Sequence, residues 1–174
     1  MAIHLKKLSE SDWKLFREIR LRALKEDPQA FGSNYKKENK YTEELWRNRL
    51  SGESCAVFGV FDGKKLIGMT GVKVDQNDDL ERKGYFWGSW LEPSYRKKGI
   101  SKLMYAERLK WAKDHPTLNV IRASYWVSNK ASEKAMIGSG FKPIYRKKKK
   151  RSSDGKILEE VFCEIALSSF SEMN

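Results

Sequence analysis

The chain is poor in the residues that staple small proteins or hold metals. Only Cys55 and Cys163 are cysteines, each inside a strand-like pattern, which points away from a disulfide framework and toward free thiols in a core. The only histidines, His4 and His115, sit near chain or helix ends with no partner at metal-ligand spacing, so no metal is expected. No apolar run approaches the roughly 20 residues that cross a bilayer. The opening MAIHLKKLSE has no signal-peptide apolar core, so the expected location is cytoplasmic, with no membrane partner. Repeats, low-complexity tracts and linkers are also absent, and the reading is one domain over 1–174.

What is present is a core-forming composition carrying excess positive charge. Hydrophobic residues make up 40% of the 174, enough to fold a single domain around a sizeable core. The net charge of +12 exceeds what a polyanionic ligand needs. The run Lys147 to Arg151 is read as a solvated face in preference to a nucleic-acid patch, because no nucleic-acid motif accompanies it.

The most informative stretch is Gly84 to Trp111, GYFWGSWLEPSYRKKGISKLMYAERLKW. An aromatic strand ends at Leu91-Glu92-Pro93, a basic turn Arg96-Lys97-Lys98-Gly99 follows, and an amphipathic helix begins at once. The first turn of a helix has unpaired N–H groups and the positive end of the peptide dipole, so an anion there is stabilised before any side chain contributes. Gly99 lets the backbone approach closely, and the implied ligand is a pyrophosphate. A second constellation, Asn129-Lys130-Ala131-Ser132 with Ser139-Gly140-Phe141, lies downstream around another helix.

Together these stretches resemble the GNAT superfamily of N-acetyltransferases. Its acyl-CoA loop is Arg or Gln, two residues, Gly, one residue, then Gly or Ala; here it stands as Arg96 to Ser101, departing only at Ser101, which is still small. The resemblance covers essentially the whole chain and implies an α/β fold. It predicts a mixed, largely antiparallel sheet of about seven strands, splayed between strands four and five and flanked by about four helices.

The remaining pattern fits that plan. Ile3 to Leu8 reads as a strand, and a helix to about Lys25 follows the cap-like Ser9-Glu10-Ser11-Asp12. Trp13, Phe16, Ile19 and Ala23 form its core face, which leaves Arg17, Arg20 and Arg22 toward solvent or a groove. Thr42 caps a short helix carrying Leu45, Trp46 and Leu50. Cys55 to Asp75 reads as a hairpin turning at Asp62-Gly63, with Gly68 and Gly71 marking a bulge or close approach. Gln76 to Arg82 is a polar loop, and Tyr85 to Leu91 is the next strand. The helix from Gly99 to about Asp114 turns Ile100, Leu103, Met104 and Trp111 inward; Asn119 to Trp126 is the strand across the gap. Phe141 to Arg151 and Lys156 to Leu167 form a final hairpin, with the lysine run facing Glu159, Glu160 and Glu164.

The resemblance also implies a site. Acetyl-CoA is the expected co-substrate, held by Trp90, Leu91, Arg96, Lys97, Lys98, Gly99, Ile100, Ser101, Asn129 and Ser132, with the Leu91 N–H as oxyanion donor. Phe31, Tyr35, Glu38, Trp87 and Trp126 are the candidates for contact with the acceptor, a small-molecule amine or a peptide or protein amine. Many family members have a tyrosine seven residues after the motif Asn to protonate the leaving thiolate; this chain has Met136 there, and a thioether cannot donate a proton. Tyr85, Ser89 and Tyr125 are the candidate acid or base groups, with Tyr105, Glu38 and Glu81 behind them; Glu92 is read as a solvated carboxylate. Three readings stand: an acetyl-CoA-dependent N-acetyltransferase, a catalytically weak acyl-CoA sensor, and a basic nucleic-acid or ribosome-associated protein. Monomer and homodimer are both compatible with the sequence.

Overall fold

A computed structural model describes residues 2–77 and 82–170. Glu81, one of the candidate bases, lies outside the described residues.

Seven strands form one sheet in the order β1-β2-β3-β4-β5-β7-β6. They are β1 (Ile3–Lys7), β2 (Cys55–Asp62), β3 (Lys65–Val74), β4 (Lys83–Leu91), β5 (Val120–Trp126), β6 (Lys142–Lys150) and β7 (Ile157–Ala166). Every neighbouring pair is antiparallel except β4 and β5. That parallel pair spans only Lys83↔Val120, Gly84↔Ile121 and Tyr85↔Arg122, after which β4 runs on to Leu91 beside β3 and β5 to Trp126 beside β7, no longer paired with each other. The sheet is therefore splayed where the resemblance predicts it.

Both faces of the sheet are covered. Val57 of β2 packs on one face with Phe16, Ile19 and Ala23 of α1 (Trp13–Glu26) and Trp46 of α3 (Glu43–Asn48). Val60 points to the other face, as strand alternation requires, and meets Ile100 and Met104 of α4 (Ile100–Asp114). The one-turn α2 (Tyr35–Glu38) and α5 (Lys130–Gly138) bring the described α-helices to five, in keeping with the about four expected; Asn34 caps α2 by accepting from the Lys37 N–H.

Several side chains differ from their periodic assignment. Leu103 is exposed although it falls on the expected inner face of α4, whose core contacts are made by Ile100, Met104, Leu109 and Ala112, and Leu45 is exposed on α3, where Trp46 is the buried residue. Glu92 is buried rather than solvated: Arg22 donates to it at 2.6 Å and Lys65 at 2.8 Å. Arg20, expected toward solvent or a groove, is buried and paired with Glu38. Gly68 makes room for β4, since a Cβ there would stand 2.5 Å from the Trp90 carbonyl oxygen.

In the last hairpin Lys147 and Lys148 oppose Glu160 and Glu159, while Glu164 faces Lys142 outside the lysine run. Arg146–Glu159 at 3.4 Å and Lys149–Glu160 at 3.5 Å pair across the strands and Arg151 pairs with Asp154 in the turn, so part of the basic run has a structural role.

Candidate active site

The splay opens a cavity of about 950 Å³ between the parted ends of β4 and β5. Tyr85, Trp87 and Gly88 line it from β4, and Ser124, Tyr125 and Trp126 from β5. Asn129 and Ser132 at the start of α5 close one side, and Arg20, Phe31 and Arg49 close another. Of the residues expected to meet an acceptor, Phe31, Trp87 and Trp126 gather here. Tyr35 does not: it lines a separate depression on the outer side of α1, with the Lys25 ammonium 4.4 Å from its ring. Glu38 is buried beneath the cavity rather than lining it.

Beyond Tyr85 the β4 edge facing the gap has no partner strand. Glu92 donates its N–H to the Ile67 oxygen of β3 at 2.8 Å. Strand alternation therefore turns the Leu91 N–H to the opposite edge, where β5 has withdrawn. Gly88, at φ +67°, bends the strand within this edge.

At the far end of β4 the loop has the conformation its composition suggested. Gly99 caps α4 at φ +79°, and Lys97 also lies in the left-handed region at φ +61°. Nothing stands within 4 Å of a Cβ placed on Gly99, so its backbone angle and the open space above it are what glycine supplies. No side chain caps the helix, and Lys97, Lys98 and Ser101 are exposed around its first turn, with Ile100 buried beneath. Arg96 is directed elsewhere. Its Nη2 donates to Asp27 and its Nε to the Leu91 carbonyl at 2.9 Å, so its side chain braces the loop against the end of α1. Asp27 also receives the Trp90 indole N–H at 2.6 Å.

A model of the Acetyltransferase (GNAT) family matches residues 15–141. The chain belongs to the GNAT acetyltransferase family. As a GNAT protein it is an acyltransferase, and acetyl-CoA is the co-substrate of the family. Solved GNAT structures share the fold at low identity. A putative acetyltransferase, yncA, from Salmonella typhimurium with its cofactor acetyl-CoA has a TM-score of 0.80 at 15% identity, covering 98% of this chain and 97% of that one. A spermidine N-acetyltransferase from Vibrio cholerae in complex with CoA and spermine gives 0.77 at 17%, covering 96% of each. A GNAT acetyltransferase from Streptococcus pneumoniae gives 0.77 at 16%, covering 94% and 98%. No curated protein matches the chain.

The acid and base candidates have unequal surroundings. Met136 is buried in the core, packed with Tyr125 and Phe141. Tyr105 is also turned into that core, where burial pushes its phenol up, and it does not line the cavity. Tyr125 lines the cavity; burial raises its phenol, and its hydroxyl donates to Glu133 at 3.1 Å. Ser89 is exposed on β4, with its hydroxyl 2.8 Å from that of Thr70. Asn129 spends its side-chain oxygen capping α5 through the Ser132 N–H at 3.1 Å.

Of three charged cavity residues, the sequence placed Arg20 toward solvent or a groove, gave Arg49 no role, and read Glu160 as a cross-strand partner of the lysine run. In the folded chain Glu160 lines the cavity and is 9% exposed, accepting from the Ser124 hydroxyl at 2.5 Å. Register would have indicated it, because Glu160 pairs with Trp126 at the open end of β5.

Proposed function

We propose that this GNAT protein moves an acetyl group from acetyl-CoA to a primary amine by direct attack within a ternary complex. The observation that carries the proposal is the parting of β4 from β5 after Tyr85, on the same strand that leads into the open N-terminus of α4. The residues fit acetyl-CoA. The pantetheine arm would pair with the free edge of β4 at Trp90 and Leu91, as an added strand would. The pyrophosphate would take the unpaired N–H groups of Ile100 and Ser101, with Lys97 and Lys98 beside it and Gly99 leaving room. Asn129 and Ser132 would border the arm from α5. The ligands bound to the Salmonella and Vibrio relatives support this assignment.

In the reaction the acceptor ammonium first gives up a proton. Its nitrogen bonds to the thioester carbon, the Leu91 N–H stabilises the oxyanion, and as the C–S bond breaks the nitrogen, now cationic, gives up its second proton to solvent or back to the group that protonates the thiolate. The thiolate leaves and takes up one proton. With Met136 unable to supply it, that proton comes from Tyr85, Ser89, Tyr125 or water, which the moderate pKa of a thiol permits. Glu160 is the carboxylate we assign to deprotonating the ammonium, directly or through a water.

Thiol release from acetyl-CoA across amino acids, polyamines, aminoglycosides and lysine peptides tests the reading, with acetyl-CoA binding followed by calorimetry. Turnover with an amine is the expected result. Tight acetyl-CoA binding with no turnover on any amine would replace the transferase by a sensor, and no binding at all would overturn the site.

A further inference from the structure

Arg20 is buried at the acceptor end of the cavity with one hydrogen-bonding arm unused. It is 5% exposed; its Nε and Nη2 are held by Glu38 at 2.9 and 2.7 Å, and its Nη1 has no partner. A Cβ placed on Gly88 would stand 3.6 Å from that Nη1, so the free arm is directed at the bend of β4. Phe31 and Trp87 flank the guanidinium at 4.8 and 5.9 Å and hold it there.

Charge around this point does not balance. Arg49 also donates to Glu38, at 2.9 Å, so two guanidinium groups share one carboxylate and one positive charge is left over. A buried charged donor without a partner is costly unless a ligand completes it. Lys73 and Lys149 add to the same lining, against Asp75 and Glu160. A polycation would be repelled here, and an anion would be drawn in.

Position separates this anion from acetyl-CoA. Gly88 lies three residues before Leu91, about 10 Å along the strand, on the side away from the Gly99 loop. Resting on the transferase reading above, we infer that the acceptor carries a carboxylate beside its amine, as a free amino acid does, and that Arg20 Nη1 binds that carboxylate. In an α-amino acid only Cα separates the carboxylate from the nitrogen. Anchoring one on Arg20 therefore brings the other to the stretch of β4 that leads to Leu91. Phe31, Trp87 and Trp126 leave an aromatic wall for the side chain.

The test compares matched acceptors on the full chain: L-phenylalanine with phenethylamine, L-tyrosine with tyramine, and spermidine. The amino acids should exceed their decarboxylated partners in kcat/KM by about tenfold or more, because the site would otherwise leave a charged donor unpaired. Arg20→Lys should raise KM for the amino acid while leaving KM for acetyl-CoA in place. A parallel measurement, thermal melting of the CoA-bound protein, should give a larger upward shift with N-acetyl-L-phenylalanine than with N-acetylphenethylamine. It needs neither turnover nor a folded variant. Equal stabilisation by both products, equal rates for the paired amines, spermidine as the best acceptor, or a raised KM for acetyl-CoA in Arg20→Lys would each overturn the inference. Absence of turnover with every amine would sink the transferase reading alone, leaving the melting comparison to decide whether the anion site exists.

Discussion

Arg20 and Glu38 meet fork to fork beneath the cavity, joined by two hydrogen bonds of 2.9 and 2.7 Å, with both side chains almost wholly buried. The pair ties α1 to α2 and sets the floor on which Phe31 and Trp87 sit.

The Glu38 carboxyl should dominate acid sensitivity. Burial alone would raise its pKa, but Arg20 and then Arg49 outweigh burial and hold it at about 2, against 4.5 for an ordinary glutamate. A depressed pKa means that its stabilisation is fully present above about pH 4.5 and is lost as pH falls toward 2. The amount is on the order of 3 kcal/mol. Glu38→Gln should melt lower at pH 7, with two arginines left uncompensated, and should show a flatter stability profile across the acid range. Urea melts at a series of pH values check this; parallel profiles for the two proteins would contradict it.

Gly99→Ala should separate cofactor binding from folding. The added methyl meets no protein atom, but the left-handed backbone costs a non-glycine residue roughly 1 kcal/mol. We expect a small drop in Tm and a loss of acetyl-CoA affinity of about tenfold from the displaced N–H groups. Calorimetry reads the affinity, and an unchanged Kd would remove the loop from the binding site.

Glu160→Gln tests the proposed base while keeping the shape of the side chain and its contact with Ser124. The expected change is a fall in kcat of about a hundredfold or more, with acetyl-CoA affinity retained. A wild-type rate with any amine acceptor would assign deprotonation to another group.

Arg108 should be dispensable for stability. It is buried in α4, 3.9 Å from the Phe86 ring centre; its Nε donates to the Met104 carbonyl at 3.0 Å and its Nη2 has no partner. Burial lowers its pKa to about 10. Arg108→Met keeps the length and removes a desolvated charge, so stability should be unchanged or rise by about 1–3 kcal/mol in urea melts. A loss of comparable size would show that the contacts with Phe86 and Tyr105 outweigh the desolvation.

The conformation of the loop from Arg96 to Ser101 was legible in the sequence because its demands are local. A left-handed turn needs Gly99, an open helix start needs no capping side chain, and both lie within six consecutive residues. The strands were legible for the same reason, since alternation and turn residues operate over a few positions. The charge pairing beside the cavity was not. Arg20 and Glu38 are 18 residues apart on different helices, and a helical wheel only turns Arg20 toward solvent or a groove without showing its partner. Glu92 read as solvated because its partners, Arg22 and Lys65, come from 70 and 27 residues away.

By itself, then, the sequence determined the family, the order of the elements and the phosphate-ready loop, all of which follow from spacing along the chain. Tertiary structure decided how charge is shared around the cavity: that one arm of Arg20 is buried without a partner among the described residues, and which glutamate reaches the open end of β5. Those outcomes depend on burial and on partners distant in sequence, and a carboxylate behaves as a structural counter-ion or a reactive base according to the groups that surround it.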